Sequence, residues 1–411
     1  MELLDIYLKE NNTNMNQLHI VSGIPATTVR NLNKKTFNKW TMEQLDAVAQ
    51  VVNKPKTIVL QELELISKTV IMEETLGKYN LENRRYIGNK NRLLSWIRPL
   101  VREHTMGKSF FDVFAGTGVV TKEFLNDYDN FIINDFLYSN QIVYQAFFEF
   151  SNFDKRKLLK IKEKFQQLNV DEIDSNYFSN NYGNKFFSEN DAKIIGEIRE
   201  RMDKMKTLTN KERSILITSL LYSTDKIANT VGHYEAYRKK NNLEDRFEFD
   251  LINPIEANGK SIKIHRQDSN ELVRHIKSDI AFIDPPYNSR QYSRFYHVLE
   301  CLVKWNKPKL DGVAMKPPVE NMSEYSRSTA PKVFDDLIIN LDVKYIVVTY
   351  NNTYNSKSKS SRNKITHNEI LSSLNKRGNT KVFEMPFQYF NAGKSDLKEH
   401  KEYLFITEVK K

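Results

Sequence analysis

The sequence predicts an α/β protein with an open, mostly parallel sheet, preceded by a small all-α domain. Two observations predict the sheet: short apolar runs alternate with segments long enough for helices, and each run ends in polar or acidic residues. A third observation, helical periodicity without such runs before residue 66, predicts the all-α part. At 411 residues, the chain is long enough for two or three domains.

Composition narrows the class of protein. The net charge of +10 favours a polyanionic partner, because clustered Lys and Arg side chains bind phosphates favourably. Because Cys301 is the only cysteine, the chain can form neither an intramolecular disulfide nor a zinc site built from several cysteines. The eight histidines are scattered, so we expect no metal. Without a signal peptide or a long apolar run, we expect a cytoplasmic protein that does not contact a membrane.

The first 66 residues predict a bundle of short helices. Gly23 is placed for a tight turn between two helices, and Pro25 suits the first turn of the second helix. Thr41 and Gln44 form a predicted capping box at the start of a further helix. The exposed side of the second helix carries side chains suited to phosphates and base edges, namely Thr27, Thr28, Arg30 and Asn31.

This first region resembles the Cro/repressor-type helix-turn-helix domain over Leu18 to Leu32 and the Thr41 to Val52 helix. The resemblance implies a DNA-binding domain over residues 1–66, followed by a linker over 67–80. The alternative is a helical cap that makes no DNA contact.

A strand, a glycine turn and a helix follow in order from residue 110. The strand leads through Asp112 and Phe114 into Gly116-Thr117-Gly118, which is typical of the first βα unit of a doubly wound sheet. Glycines at this turn let the backbone approach a ligand closely. Thr121 occupies the third position of the dinucleotide fingerprint, where glycine is required, so a pyrophosphate ligand is disfavoured.

Three further strands end in polar residues. The strand at 131–133 ends at Asn134-Asp135, the strand at 261–265 is followed by Gln267-Asp268, and the strand at 279–283 runs into Asp284-Pro285-Pro286-Tyr287. Because ligands of open α/β folds bind at the carboxyl ends of the strands, we expect these residues along one edge of the sheet. The spare acceptors of Asp284 and Pro285 beside an aromatic ring suit a planar ring that bears an amine.

The ordered motifs Tyr86-Ile87-Gly88-Asn89-Lys90, Asp112 to Gly118, Asn134-Asp135 and Asp284 to Tyr287 resemble the Dam-like N6-adenine DNA methyltransferases, and most closely their restriction-modification branch. The resemblance covers residues 80–411 and implies a Rossmann-like sheet and S-adenosylmethionine as cofactor. It implies cofactor contacts from Tyr86, Lys90, Asp112, Phe114, Gly116, Gly118, Asp135 and Asp268, with Lys90 at the carboxylate of the cofactor, Asp135 at the ribose and Asp268 at the adenine. Asp284, Pro285, Pro286 and Tyr287 would hold the flipped target base and promote the transfer.

The remaining segments suggest where the target is read. We expect the catalytic domain to comprise residues 81–139 and 261–411, with a largely helical target-recognition insertion at 140–260. The predicted DNA contacts of these parts are His233, Tyr234, Arg290, Tyr350 and Asn351. The closing runs at 381–390 and 402–409 predict an antiparallel hairpin at the sheet edge.

The sequence therefore predicts a site-specific methyltransferase that acts on the exocyclic amine of adenine in double-stranded DNA. Its setting would be a restriction-modification system, whose endonuclease acts on the same site without a stable complex, and the helix-turn-helix would regulate its own promoter or hold DNA. Cys301 follows Glu300 in an apolar helical stretch, which disfavours methylation of a cytosine ring carbon. Two alternatives remain open: a DNA-binding regulator with a vestigial or sensory methyltransferase body, and an RNA adenine methyltransferase.

Overall fold

The structure is a computed structural model that describes residues 3–33, 37–74, 76–239, 242–257, 259–286, 289–353, 363–386 and 400–410. Tyr287, a predicted site residue, lies outside the described residues. The chain divides into two compact units, Met1–Gly77 and Lys78–Lys411.

The first unit is a small helical bundle. Its helices are α1 (Leu3–Glu10), α2 (Met15–Ser22), α3 (Ala26–Asn33), α4 (Met42–Val52) and α5 (Lys56–Glu74). Gly23 ends α2 in the left-handed region, with φ +70°, as the predicted turn requires. The capping box predicted at the start of α4 is present: the Gln44 N–H donates to Thr41 Oγ1 at 3.3 Å, and the Thr41 N–H donates to Gln44 Oε1 at 3.0 Å.

One long helix occupies the end of this unit. Helix α5 continues to Glu74, so the first part of the segment predicted as a linker, 67–80, is helical. The sequence has no glycine before Gly77 in this stretch and is rich in strong helix formers, which explains the continuation.

The second unit is built on a seven-stranded mixed sheet. The strands are β1 (Ser109–Asp112), β2 (Asn130–Asn134), β3 (Ser261–His265), β4 (Ile280–Ile283), β5 (Tyr345–Asn351), β6 (Gly378–Pro386) and β7 (Lys401–Val409). Their order is β3-β2-β1-β4-β5-β7-β6, with the first five parallel and β7 antiparallel to both of its neighbours. The predicted α/β class and the closing antiparallel hairpin are confirmed.

Helices cover both faces of this sheet. The helices of the second unit are α6 (Leu94–His104), α7 (Val119–Phe124), α8 (Tyr138–Phe148), α9 (Lys155–Gln166), α10 (Tyr177–Tyr182), α11 (Glu189–Lys204), α12 (Asn210–Ile227), α13 (Ser269–Leu272), α14 (Tyr292–Phe295), α15 (His297–Lys304), α16 (Ala330–Asn340) and α17 (His367–Asn375). On one face, Phe111 lies in a core with Phe334 of α16 and Ile370 of α17. Phe110 points to the other face, where its ring stacks on Phe124. Burial on both faces explains why the central strand β4 is continuously apolar, whereas β3, at the edge of the sheet, alternates apolar and polar residues.

The segment between β2 and β3 is largely helical, as predicted for 140–260. It carries α9 to α12, and most side chains of α12 are buried. One of them, Tyr222, donates from its hydroxyl to the carbonyl oxygen of Leu81, which lies outside this segment, at 3.0 Å. This segment is therefore packed onto the rest of the second unit, and its role in reading a target stays a prediction.

Asn134 holds three strand ends together. Its Nδ2 lies 3.2 Å from the carbonyl oxygen of Val113, 3.2 Å from that of Gln267 and 3.2 Å from Ser269 Oγ, while its Oδ1 accepts the Gln267 N–H at 3.1 Å. The side chain is fully buried. One amide thus fixes the ends of β1, β2 and β3 relative to one another.

We expect Asn134→Ala to lower the free energy of unfolding of the second unit by about 1–3 kcal/mol, because it leaves buried backbone groups without partners. Urea unfolding followed by circular dichroism measures the change. Asn130→Ala is the matched control, since it alters the exposed start of the same strand and should cost at most about 0.5 kcal/mol. Equal losses in the two variants would contradict the role given to Asn134.

Candidate active site

A cleft opens at the carboxyl edge of the parallel strands. It encloses about 960 Å³ of empty space, including the part that is open to solvent. Its lining comes from residues 86–90, 112–120, 135–137, 268–269, 282–286, 291–293 and 321–325. It therefore brings together Tyr86, Lys90, Asp112, Phe114, Gly116, Asp135, Asp268, Asp284, Pro285 and Pro286, while Gly118 lies just behind the lining. A cleft at the carboxyl ends of parallel strands is the usual position of a ligand site in an open α/β fold.

Tyr86 is held rigidly in this cleft. Its ring stacks on Tyr296 with centroids 4.7 Å apart and planes 7° from parallel. The Arg84 guanidinium lies 5.2 Å from the Tyr86 ring centroid, and Asn140 Nδ2 donates to the Tyr86 hydroxyl at 3.3 Å. Burial raises the pKa of Tyr86 well above its usual value. The phenol is therefore neutral and its ring orientation is fixed.

The glycine turn after β1 needs its glycines. Gly116 and Gly118 have φ +56° and +82°, in the region that side chains rarely adopt. A Cβ at Gly116 would lie 3.3 Å from the Tyr86 ring, and one at Gly118 would lie 3.0 Å from Phe148. The Tyr144 hydroxyl donates to the Gly116 carbonyl at 2.7 Å and holds the turn from behind. The backbone here is shaped for close approach by a ligand.

Two carboxylates line the cleft beyond this turn. Asp135 accepts the Gly116 N–H at 3.0 Å and the Leu137 N–H at 2.9 Å, and burial raises its pKa to about 6. Asp268 is exposed and accepts the Asn270 N–H at 2.9 Å at the start of α13. Because each carboxylate oxygen has two lone pairs, both groups keep acceptor capacity for a ligand.

Asp112 is the most deeply buried carboxyl of the cleft. It is 1% exposed, and its Oδ2 accepts a hydrogen bond from Thr121 Oγ1 at 2.8 Å. Burial, and to a lesser extent the nearby Asp284 and Asp135, raise the pKa of Asp112 to about 7. The threonine that replaces the third glycine of a dinucleotide fingerprint thus serves as a hydrogen-bond donor to this carboxyl.

Asp284 forms a buried ion pair with Lys90. Lys90 Nζ lies 2.8 Å from Asp284 Oδ2, and Thr349 Oγ1 donates to Asp284 Oδ1 at 2.9 Å. Lys90 Nζ also lies 3.3 Å from the Gly88 carbonyl oxygen. The sequence interpretation placed Lys90 at a carboxylate of the cofactor, whereas in the structure its charge faces Asp284. Sequence reasoning missed this pair because nothing local links two residues so far apart in the chain.

Glu402 is a second acidic residue that sequence reasoning missed. It lies at the start of β7, opposite Asn351 of β5, and is 4% exposed. Burial raises its pKa to about 7 and Asp284 adds to the rise, while Lys90 and the Asn351 side chain oppose it. The available signal was an acidic residue that alternates with the apolar Leu404 and Ile406 along this strand.

The predicted DNA contacts of the catalytic unit fall into two groups. His233 is half-buried and stacks on Phe295, with ring centroids 4.7 Å apart, and Arg290 pairs with Glu235 at 2.6 Å. These two positions remain predicted DNA contacts.

Tyr234, Tyr350 and Asn351 are buried instead. The Tyr234 hydroxyl donates to Asp225 at 2.9 Å, and the Ile365 N–H donates to the Tyr350 hydroxyl at 3.2 Å. Both rings are about 1% exposed, so the structure differs from the expectation that they face DNA. The reason is that each phenol has a buried polar partner and its ring fills the core. Asn351 is also buried, with Oδ1 accepting from Thr353.

In the first unit, the side chains predicted to meet DNA lie on α3. Thr27, Arg30 and Asn31 are exposed, and Thr28 is half-buried. Val29 and Leu32 of the same helix are buried in the bundle core. The helix thus presents a polar face, as its periodicity predicts.

In the part of the chain that the structure describes, no group of three or more His, Cys, Asp or Glu side chains could hold a metal ion. Of the helices formed by described residues, none combines the length and the apolar character needed to cross a bilayer.

Comparison with known proteins gives a consistent result. Residues 86–365 match the model of the D12 class N6 adenine-specific DNA methyltransferase family. The modification methylase LlaI of Lactococcus lactis subsp. lactis is 33% identical over 290 residues, which are 65% of this chain and 46% of that protein. The modification methylase StsI of Streptococcus sanguinis is 32% identical over 79% of this chain and 52% of its own length. The chain thus spans about half the length of these two relatives. The Type II methyltransferase M.NlaIII of Neisseria lactamica is 26% identical over 79% of this chain and 98% of its own.

The raised pKa of Asp112 predicts that Asp112→Asn increases the stability of the fold by an amount that depends on pH. In the unfolded chain Asp112 ionises near its usual pKa of 3.8, but in the fold it ionises only near 7. Between these values the unfolded chain binds fewer protons, so the wild type loses stability as the pH rises. We expect the stability advantage of Asp112→Asn to grow by roughly 1 kcal/mol per pH unit between pH 4 and 7 and then to level off.

Urea unfolding at several pH values measures this difference. Asp174→Asn, at an exposed acidic residue, is the control and should show no such growth. A constant difference for Asp112→Asn across the range would contradict the burial argument.

Proposed function

Because the chain belongs to the D12 class N6 adenine-specific DNA methyltransferase family, we propose that it transfers a methyl group to the exocyclic amine of an adenine flipped out of duplex DNA. The observation that carries the proposal is the position of Asp284 and Pro285. They end β4 inside the cleft that Tyr86 and Asp135 also line. Acceptors for an amine and groups suited to a nucleoside thus share one cavity.

The residues present fit S-adenosylmethionine as the cofactor. Tyr86 offers a fixed aromatic face, Asp135 offers acceptors for ribose hydroxyls, and the positive φ of Gly116 leaves room for close approach. Asp268 is the exposed carboxylate suited to the adenine edge. When bound, this cofactor supplies an electrophilic methyl group. Lys90 would have to leave Asp284 in order to hold the carboxylate of the cofactor, so we assign it first to Asp284.

The residues of the chain act on the amine. The nitrogen of an adenine amine is conjugated with its ring and is a poor nucleophile until acceptors draw on its hydrogens. Asp284 and the Pro285 carbonyl would accept these hydrogen bonds and stabilise the positive charge that develops on the nitrogen. Lys90 and Thr349 hold the Asp284 carboxylate in position.

A base inside a duplex is out of reach of this cleft, so the target adenine must leave the stack. Unstacking costs a few kcal/mol. A stacking contact from Tyr287 would recover part of this cost. The net charge of +10 favours the duplex, and His233 and Arg290 remain the proposed contacts to it.

The names of the relatives support a restriction-modification setting. They are called modification methylases and Type II methyltransferases. We therefore propose that the chain protects one recognition sequence in the cytoplasm, and that an endonuclease cleaves the same sequence without forming a stable complex with it.

The first unit supports a second DNA contact. Helices α2 and α3 are joined by the tight turn at Gly23, and α3 presents Thr27, Arg30 and Asn31 to solvent. This arrangement supports a helix-turn-helix over residues 1–66 that either regulates the promoter of its own gene or holds DNA.

Asp284→Ala should lower methyl transfer by at least a factor of about 100, because it removes one of the two acceptors for the amine. Transfer of labelled methyl groups to genomic DNA measures the loss, and sequencing of methylated adenines in expressing cells identifies the target. Asp174→Ala, at an exposed carboxylate, is the matched control. Retained cofactor binding by calorimetry would show that the variant is folded, and full activity in that folded variant would refute the proposal.

A double variant, Arg30→Ala with Asn31→Ala, should bind a DNA duplex taken from upstream of the protein's own gene more weakly by roughly tenfold or more. The reason is that each exposed contact is worth about 1–3 kcal/mol. Methyl transfer to the target sequence should fall much less. Gln50→Ala, at an exposed position of α4, is the control. Unchanged affinity in the double variant would favour a helical cap that does not contact DNA.

A further inference from the structure

Glu402 lies beside the proposed reaction centre, although it comes from the strand most distant in sequence. Strand β7 is antiparallel to β5, so β7 begins at the edge where the parallel strands end. Glu402, near this start, is therefore carried to the edge that holds Asp284. Motif reasoning gives it no role, since it belongs to none of the ordered motifs.

The strand register puts four side chains on one face of the sheet. Thr349 follows Val348, the partner of Ile283, and its hydroxyl reaches Asp284. Asn351 is two residues beyond Thr349 and hence on the same face. Glu402 is the partner of Asn351, and the Asn351 side chain hydrogen-bonds to it. A chain of polar groups thus runs from Asp284 to Glu402.

The charges around Glu402 come from three elements. Lys90 faces it from the loop before α6, Asp284 from the end of β4, and His400 from the segment before β7, with His400 Nε2 3.6 Å from Glu402 Oε1. Glu402 Oε2 is buried and has no hydrogen-bond partner among the described residues. Two carboxylates, the buried Glu402 and the partly buried Asp284, therefore face one ammonium, and when both are ionised the group carries a net negative charge.

We propose that Glu402 is a positioning residue whose charge sets how tightly Lys90 holds Asp284, and hence how well Asp284 accepts from the target amine. When Glu402 is ionised, it shares Lys90 with Asp284 and adds negative charge where the amine becomes positive. When Glu402 is protonated, Lys90 pairs with Asp284 alone. The proposal deepens the proposed function and rests on it.

Methyl transfer to the amine needs no further reactant. The C–N bond forms as the methyl–sulfur bond breaks, the nitrogen gains positive charge, and it then releases one proton. Glu402 touches neither reacting atom and acts through Lys90 and Asp284. Burial raises its pKa to about 7, so its charge changes within the working range of pH.

The test measures single-turnover methyl transfer against pH, at saturating cofactor and DNA. In the wild type, the rate should fall about tenfold from its plateau by pH 6, because about one Glu402 in ten is then ionised. Glu402→Gln should lack this fall and keep only the pH dependence that Asp112 and Asp135 contribute, since the pKa values of these two groups are also raised towards neutrality. Glu384→Gln, at an exposed glutamate on the neighbouring β6, is the matched control and should keep the wild-type profile. A wild-type profile in Glu402→Gln would overturn the proposal.

A second measurement does not depend on activity. In protein labelled with ¹³C at glutamate carboxyls, one resonance should titrate near pH 7 in the wild type and be absent in Glu402→Gln. In Lys90→Met the same resonance should titrate at higher pH, because Lys90 favours the charged form of Glu402. If Glu402→Gln fails to fold, Asn351→Ala tests the role of Glu402 in its place. Loss of the Asn351 amide donor should move both the Glu402 resonance and the profile of rate against pH to higher pH. An unmoved resonance in Lys90→Met would overturn the coupling.

The two failures are distinguishable. A folded wild type that methylates no adenine-containing duplex refutes the proposed function, whatever Glu402 does. A wild type that methylates DNA with the same pH profile as Glu402→Gln refutes only the role of Glu402.

Discussion

The parallel register of β3, β2, β1, β4 and β5 is the constraint on which the site depends. It sends the carboxyl ends of all five strands to one edge, where Asp112, Asp268 and Asp284 meet although they come from distant parts of the chain. The buried Asn134 amide makes this alignment specific, because it bonds to groups at the ends of three strands at once. Without this alignment, none of the polar motifs would form a cavity.

The cleft has an electrostatic character opposite to that of the whole molecule. The chain carries a net charge of +10, which suits a polyanionic partner. Inside the cleft, burial raises the pKa of Asp112 and Asp135 towards neutrality, and Lys90 is paired with Asp284. Such a pocket favours groups that carry or develop positive charge, as an amine does when it is methylated. The net charge of the chain and the charge of the pocket thus favour different groups: phosphates in the first case and an amine in the second.

The sequence predicts the strands well, because each is a short apolar run with a polar end, and it predicts the Thr41 capping box because that motif is local. It also predicts that Asp135 and Asp284 share one edge, since that follows from parallel strands. It does not predict the Lys90–Asp284 pair, the position of Glu402 or the burial of Tyr234. These depend on which distant segments pack together, and periodicity and motif spacing carry no information on that packing.

The position of β7 also bears on the order in which the protein is assembled. Strand β6 precedes β7 in the chain but joins the sheet only through it, since β7 lies between β5 and β6. During synthesis, β1 to β5 can pair as they emerge, whereas β6 must wait for the strand that follows it. Glu402 arrives on that strand. The ion pair of Lys90 and Asp284 can therefore form during synthesis before Glu402 reaches the same edge of the sheet.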